Sequence, residues 1–217
     1  MQRMTRSKNL HGPWGLYAII DPEHCLGRPL LSLARMVLEN GAGALQLRDK
    51  RGTFEEILSA ARSLQALCDE YGVPFIINDN PYLAREAGAD GVHLGQEDIP
   101  VALAREIIGP DRLIGLSTHT REQALSGETS GADYLGFGPA FATATKVQPY
   151  LPLGLEFMQW AAQSLRVPFV AIGGITPQNA RELASVGVSN IAVISALGES
   201  DDPGWMAQAF VQAVKRI

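Results

Sequence analysis

Cysteine is nearly missing from this sequence. Cys25 and Cys68 are its only two examples, too few and too far apart to give a metal-ligand spacing or a disulfide framework. That scarcity fits a reducing cytoplasm, the expected location, and neither thiol is expected to be reactive. Charge of one sign is also in short supply. At a formal net charge of −5 the bulk field argues against a nucleic-acid or membrane-surface partner, so any anionic ligand has to be held by local cations. No apolar run approaches the roughly 20 residues of a membrane span, and the N-terminus lacks the apolar middle of a signal peptide. A convincing Ser/His/Asp or Cys/His arrangement for nucleophilic catalysis is missing too.

What is present is a regular alternation. The 217 residues, 46% of them hydrophobic, suit one domain with a sizeable core. Short β-branched runs recur along the chain with helical patterns between them, the signature of repeated βα units and a parallel sheet. The expected strands are Leu16 to Ile20, Ala44 to Arg48, Pro74 to Asn78, Asp90 to Leu94, Leu113 to Leu116, Tyr134 to Phe137, Pro168 to Ile172 and Asn190 to Ile194. Helices are expected over Leu30 to Asn40, Phe54 to Tyr71 and Pro81 to Ala87, stopped by Gly41, Gly72 and Gly88. Later helices should begin near Pro100, Thr120, Leu155, Pro177 and Pro203, where proline suits a first turn that needs no donor. With no composition break, this predicts α/β architecture as a single (β/α)8 TIM barrel rather than an open doubly wound sheet. Residues 1–15 read as a flexible extension and 16–217 as the catalytic domain.

In such a barrel the chemistry gathers at the C-terminal strand ends. The runs Pro74-Phe75-Ile76-Ile77-Asn78-Asp79 and Asp90-Gly91-Val92-His93-Leu94-Gly95-Gln96-Glu97-Asp98 each leave a strand with carboxylates in the turn. Two such acids on neighbouring strands can meet around one hard divalent cation; taken alone, they also read as solvated turn residues. The second strand ends in Gln46-Leu47-Arg48-Asp49-Lys50, and period-two alternation sends Gln46, Arg48 and Lys50 to one side. Arginine offers a planar fork to phosphate and lysine a point charge. After the sixth strand, Gly138-Pro139-Ala140-Phe141-Ala142-Thr143-Ala144-Thr145-Lys146 forms a turn of small residues, two hydroxyls and a cation suited to a phosphorylated ligand. Gly173-Gly174-Ile175-Thr176-Pro177 precedes a helix, and Ile194-Ser195 lies beside it, a frequent phosphate position in barrels. Within Ser117-Thr118-His119-Thr120 either threonine suits a helix cap. His119 and, still more, the in-strand His93 read as structural histidines.

Taken together these motifs resemble the thiamine-phosphate synthase family, over about Leu16 to Gly198. The resemblance implies a transferase of thiamine biosynthesis that joins 4-amino-2-methyl-5-(diphosphooxymethyl)pyrimidine to thiazole phosphate, with release of pyrophosphate. Gln46, Arg48, Lys50, Asn78, Ser117 and Lys146 would hold the pyrimidine diphosphate, with Arg48, Lys50, Ser117 and Lys146 catalytic. Asp79 and Asp98 would carry Mg2+ as the cofactor. Thr143, Thr145, Gly173, Gly174, Ile194 and Ser195 would hold the thiazole phosphate. Charge stabilisation on the departing pyrophosphate would leave a pyrimidine-methyl cation for the thiazole nitrogen to capture, with no general base. The partners would then be small phosphorylated molecules, with a homo-oligomer left open. The chain departs from the family pattern at Val147-Gln148-Pro149-Tyr150, where a more polar lid is expected. Two other readings stand beside this one. One is a thiazole tautomerase-like isomerase, in which His119 would gain interest; the other is a non-catalytic regulatory barrel that binds thiamine-related phosphates.

Overall fold

The computed structural model describes residues 8–10, 12–143 and 150–215. The strands are β1 (Gly15–Ile20), β2 (Ala44–Leu47), β3 (Phe75–Asn78), β4 (Gly91–Leu94), β5 (Leu113–Thr118), β6 (Tyr134–Phe137), β7 (Phe169–Ile172) and β8 (Asn190–Val193). They pair in sequence order, all parallel, and β8 returns to β1 through Gly15↔Asn190 to Ala18↔Val193, which closes the barrel. The (β/α)8 expectation therefore holds.

The helices form the outer layer: α1 (Leu30–Glu39), α2 (Phe54–Tyr71), α3 (Pro81–Ala87), α4 (Val101–Ile108), α5 (Arg121–Thr129), α6 (Gly154–Ser164), α7 (Pro177–Ser185), α8 (Ser195–Gly198) and α9 (Pro203–Val214). Local chemistry sets their ends. Thr53 and Glu56 form a reciprocal capping box on α2, and Gly72 and Gly88 close α2 and α3 in the left-handed conformation. Thr120, not Thr118, caps α5 by accepting from the Gln123 N–H. Thr118 is buried, and its hydroxyl donates to the Gly136 carbonyl.

Strand alternation splits the core in two. On β1, Leu16, Ala18 and Ile20 face the helices within the larger cluster, whereas Tyr17 and Ile19 point into the barrel with Ala44, Ile76, Tyr134, Val170 and Ala192. The N-terminal end of the barrel is closed from below. Trp14, 5% exposed, donates its backbone N–H to Asn190 and meets Tyr134 edge-on at 5.1 Å. Lys8 reaches Asp69 at 2.7 Å and Asp90 at 2.5 Å. The described part of the segment read as a flexible extension is thus tied to the barrel floor. No helix among the described residues is long and apolar enough to cross a membrane.

Candidate active site

The other end of the barrel opens into a cavity of about 540 Å³. Its walls are strand ends and the turns that follow them, so residues distant in sequence converge because parallel strands all point the same way. Gln46, Arg48, Lys50, Asn78, Asp79, Ser117, Thr143, Gly173, Gly174, Ile194 and Ser195 all line it. Thr145 and Lys146, also expected here, lie outside the described residues.

On one side of the cavity cations and acids are interleaved. Arg48 pairs with Asp21, whose side chain is fully buried while Arg48 keeps 16% exposure. Asp21 also accepts from the Glu23 N–H at 3.0 Å, which fixes the carboxylate beneath the guanidinium. Lys50 pairs with Asp79. Asp79 occupies the left-handed region at φ 62, a conformation that costs energy for a residue with a Cβ. Its N–H donates to the His93 carbonyl at 2.8 Å, so this turn is held across to β4.

Asp98 is not among the residues that line the cavity, but it stands next to Asp79, which does. It accepts from the Gly95 N–H at 2.6 Å and lies against Asp79. Burial, and after it the like charge of Asp79, pushes the Asp98 carboxyl up, while the Gly95 N–H opposes that shift. The two carboxylates proposed from separate strand ends are therefore neighbours. Among the described residues no group of three or more His, Cys, Asp or Glu side chains gathers for a metal. Two carboxylates are still what Mg2+ commonly takes from a protein when substrate phosphates and water supply the rest.

The opposite side is built from small residues. Gly173 and Gly174 follow β7 at φ 97 and 65, and a Cβ on Gly174 would stand 2.4 Å from the Ala142 carbonyl oxygen. Only glycine lets the β6–α6 and β7–α7 turns come this close. Asn179 donates to the Gly174 carbonyl at 2.9 Å, fastening the turn to the first turn of α7. Thr143, Ile194 and Ser195 stand on the same wall. His119 also lines the cavity, donating from Nδ1 to the Gly138 carbonyl at 2.5 Å and stacking on Tyr150 with ring centres 3.9 Å apart.

Three residues were not marked as functional by sequence reasoning. Asp21 supports Arg48 from a turn in which its only sequence signal is that of a helix cap before Pro22. His93 and Tyr134 also line the cavity, inside the barrel, and His93 bonds Ser117 at 2.9 Å.

A family model for thiamine monophosphate synthase matches residues 16–197. A thiamine-phosphate synthase from Chlorobium phaeovibrioides is 44% identical over 187 residues, 86% of this chain and 90% of that one. One from Shouchella clausii is 38% identical over 94% of this chain and 97% of its own. Among solved structures, a thiamine phosphate pyrophosphorylase from Pyrococcus furiosus superposes with a TM-score of 0.87 at 38% identity, covering 95% of this chain and 98% of that one.

Proposed function

The chain belongs to the thiamine monophosphate synthase family, and on that premise we propose how its cavity divides the work of the family reaction. That reaction is a transfer: the pyrimidine-methyl group leaves its diphosphate and joins thiazole phosphate, giving thiamine phosphate and pyrophosphate. The isomerase and silent-barrel readings are not supported, because the matching relatives are thiamine-phosphate synthases.

We assign the pyrimidine diphosphate to the side of the cavity that carries Gln46, Arg48, Lys50, Asn78 and Ser117, with Lys146 added from outside the described residues. Arg48 offers a fork to the diphosphate oxygens and Lys50 a point charge, so both act on negative charge that grows as the carbon–oxygen bond breaks. The thiazole phosphate belongs on the wall of Thr143, Gly173, Gly174, Ile194 and Ser195, with Thr145. Backbone N–H groups there can approach an anion without a side chain in the way. Holding the two substrates at opposite sides of one cavity aligns the thiazole nitrogen with the carbon that loses pyrophosphate, and that alignment replaces a bimolecular encounter. No side chain needs to remove a proton for the new bond to form.

The observation that carries the reading is the meeting of Asp79 and Asp98 beside Lys50 and Arg48. Adjacent carboxylates, one of them pushed up by burial and then by the other's charge, fit a hard divalent cation, and the Lys50 ammonium already answers that charge on Asp79. Mg2+ bound there supplies neutralising charge to the departing pyrophosphate. Asp79→Asn and Asp98→Asn should each lower Mg2+-dependent turnover by roughly 100-fold, on the order seen when one electrostatic stabiliser is removed. The double variant should lose less than the product of the two, because both residues serve one ion. Independent multiplicative losses, or turnover that survives chelation, would refute the shared-metal assignment.

A further inference from the structure

Behind Ser117, a line of polar groups runs down the inside of the barrel, from half-buried His93 to the buried Tyr134 and Tyr17. His93 Nε2 lies 2.9 Å from Ser117 Oγ, His93 Nδ1 lies 3.1 Å from the Tyr134 hydroxyl, and that hydroxyl lies 3.0 Å from the hydroxyl of Tyr17. The line spans β5, β4, β6 and β1, and two glycines make room for it. A Cβ on Gly115 would stand 2.2 Å from Tyr134 Cζ and 2.3 Å from His93 Nδ1, and one on Gly136 would stand 3.0 Å from His93 Cε1. Burial pushes both tyrosine hydroxyls up, so both keep their protons as donors.

Proton accounting gives the line a direction. A buried hydroxyl proton without an acceptor is costly, and each tyrosine has one to give. Among the described residues the Tyr17 hydroxyl bonds Tyr134 alone. Tyr17 therefore donates to Tyr134, Tyr134 donates its own proton to His93 Nδ1, and the neutral imidazole carries its proton on Nε2. Nε2–H then donates to Ser117 Oγ. Run the other way, the chain would leave the Tyr17 proton with no acceptor among the described residues.

We propose that Tyr17, Tyr134 and His93 form a one-way hydrogen-bond relay that fixes the Nε2–H tautomer of His93 and thereby turns the Ser117 hydroxyl proton into the cavity, as a committed donor to the leaving diphosphate. His93 and Tyr134 are positioning residues, acting through Ser117. The inference rests on the assignment of Ser117 to the diphosphate side.

The test uses the full chain labelled with 15N-histidine, together with steady-state kinetics. Wild-type His93 should show a protonated Nε2 and a lone-pair Nδ1, and Tyr134→Phe should lose that bias and show mixed tautomers. Tyr17→Phe, which removes one buried hydroxyl from the same cluster, should keep the Nε2–H tautomer and so controls for packing. Tyr134→Phe should lower kcat about 10-fold, the scale of one hydrogen bond, with a smaller change in KM for the pyrimidine diphosphate. His93→Gln, which keeps an N–H where Nε2 stands, should retain more turnover than His93→Leu. Adding Tyr134→Phe to Ser117→Ala should cost nothing further. A protonated Nδ1 in the wild-type chain, or Tyr134→Phe with an unchanged tautomer, overturns the relay. Losses from Tyr134→Phe and Ser117→Ala that multiply independently overturn its action through Ser117. Wild-type kcat in Ser117→Ala alone overturns the diphosphate assignment of Ser117, and the purpose of the relay with it, whatever the tautomer.

Discussion

Asp21→Asn is the most informative single change, because it removes one charge and little else. Asparagine keeps an oxygen able to accept from the Glu23 N–H, so the local cap survives. What it loses is the counter-charge of Arg48, from a carboxylate with no exposed side-chain surface. Removing one partner of a buried pair typically costs about 3–5 kcal/mol, since the remaining charge stays desolvated and unpaired. Arg48 retains 16% exposure and opens onto the cavity, which places the expected loss near the lower end, about 3 kcal/mol. For a chain of this length each kcal/mol moves the melting temperature by roughly 2–4 °C, so the variant should melt about 6–12 °C lower. Pyrophosphate offers the stranded guanidinium a new partner and should raise the melting temperature of Asp21→Asn more than that of the wild type. Thermal unfolding with and without pyrophosphate measures both effects. A midpoint within about 2 °C of wild type, well under the shift worked out above, would show that the pair does not carry the energy its burial implies.

Two further outcomes follow from the site and the core. Ser195→Asp places a negative charge on the wall proposed for thiazole phosphate and should weaken thiazole phosphate binding by about 3 kcal/mol, roughly 100-fold, while pyrimidine diphosphate binding changes little. Separate titrations of the two ligands check this, and equal weakening would mean that the two subsites are not distinct. Burial pushes up Cys25, Cys68, Tyr17 and Tyr134 alike. Groups raised on folding stabilise the native state below their unfolded values, and that contribution is lost as pH rises toward their folded values. These four groups should therefore add no pH dependence below about pH 8 and make stability decline above about pH 8.5, where unfolded thiols begin to ionise. Urea midpoints across that range measure it, and a midpoint that stays level well above it would contradict the burial of these groups.

The fold was legible in the sequence wherever local signals and alternation agreed. Strong stops at Gly72 and Gly88 gave α2 and α3 their observed ends, and β6 spans the run Tyr134–Phe137 expected for it. β5 extends further than its apolar run, to Thr118, because pairing of Ser117 with Gly136 and Thr118 with Phe137 holds two polar residues in the sheet. The four-residue α8 is too short to leave a periodic pattern. Within the site, the alternation expected to run on from β2 made Gln46, Arg48 and Lys50 readable as one set; β2 ends at Leu47, one residue short of the expected Arg48, yet all three line the cavity. Asp21, His93 and Tyr134 were not readable as functional. Their meaning lies in partners 27, 24 and 41 residues away, brought together by barrel closure and register rather than by any local spacing.

The central claim is that this cavity couples the joining of two phosphorylated substrates to metal-assisted departure of pyrophosphate. A quenched time course with the purified chain, the pyrimidine diphosphate, thiazole phosphate and Mg2+ tests it directly, with thiamine phosphate and pyrophosphate both quantified. The two products should form in equal amounts, cease to form on chelation and form again when Mg2+ is restored. Thiamine phosphate formed at an undiminished rate under chelation, or no joining at all with both substrates saturating, would contradict the account.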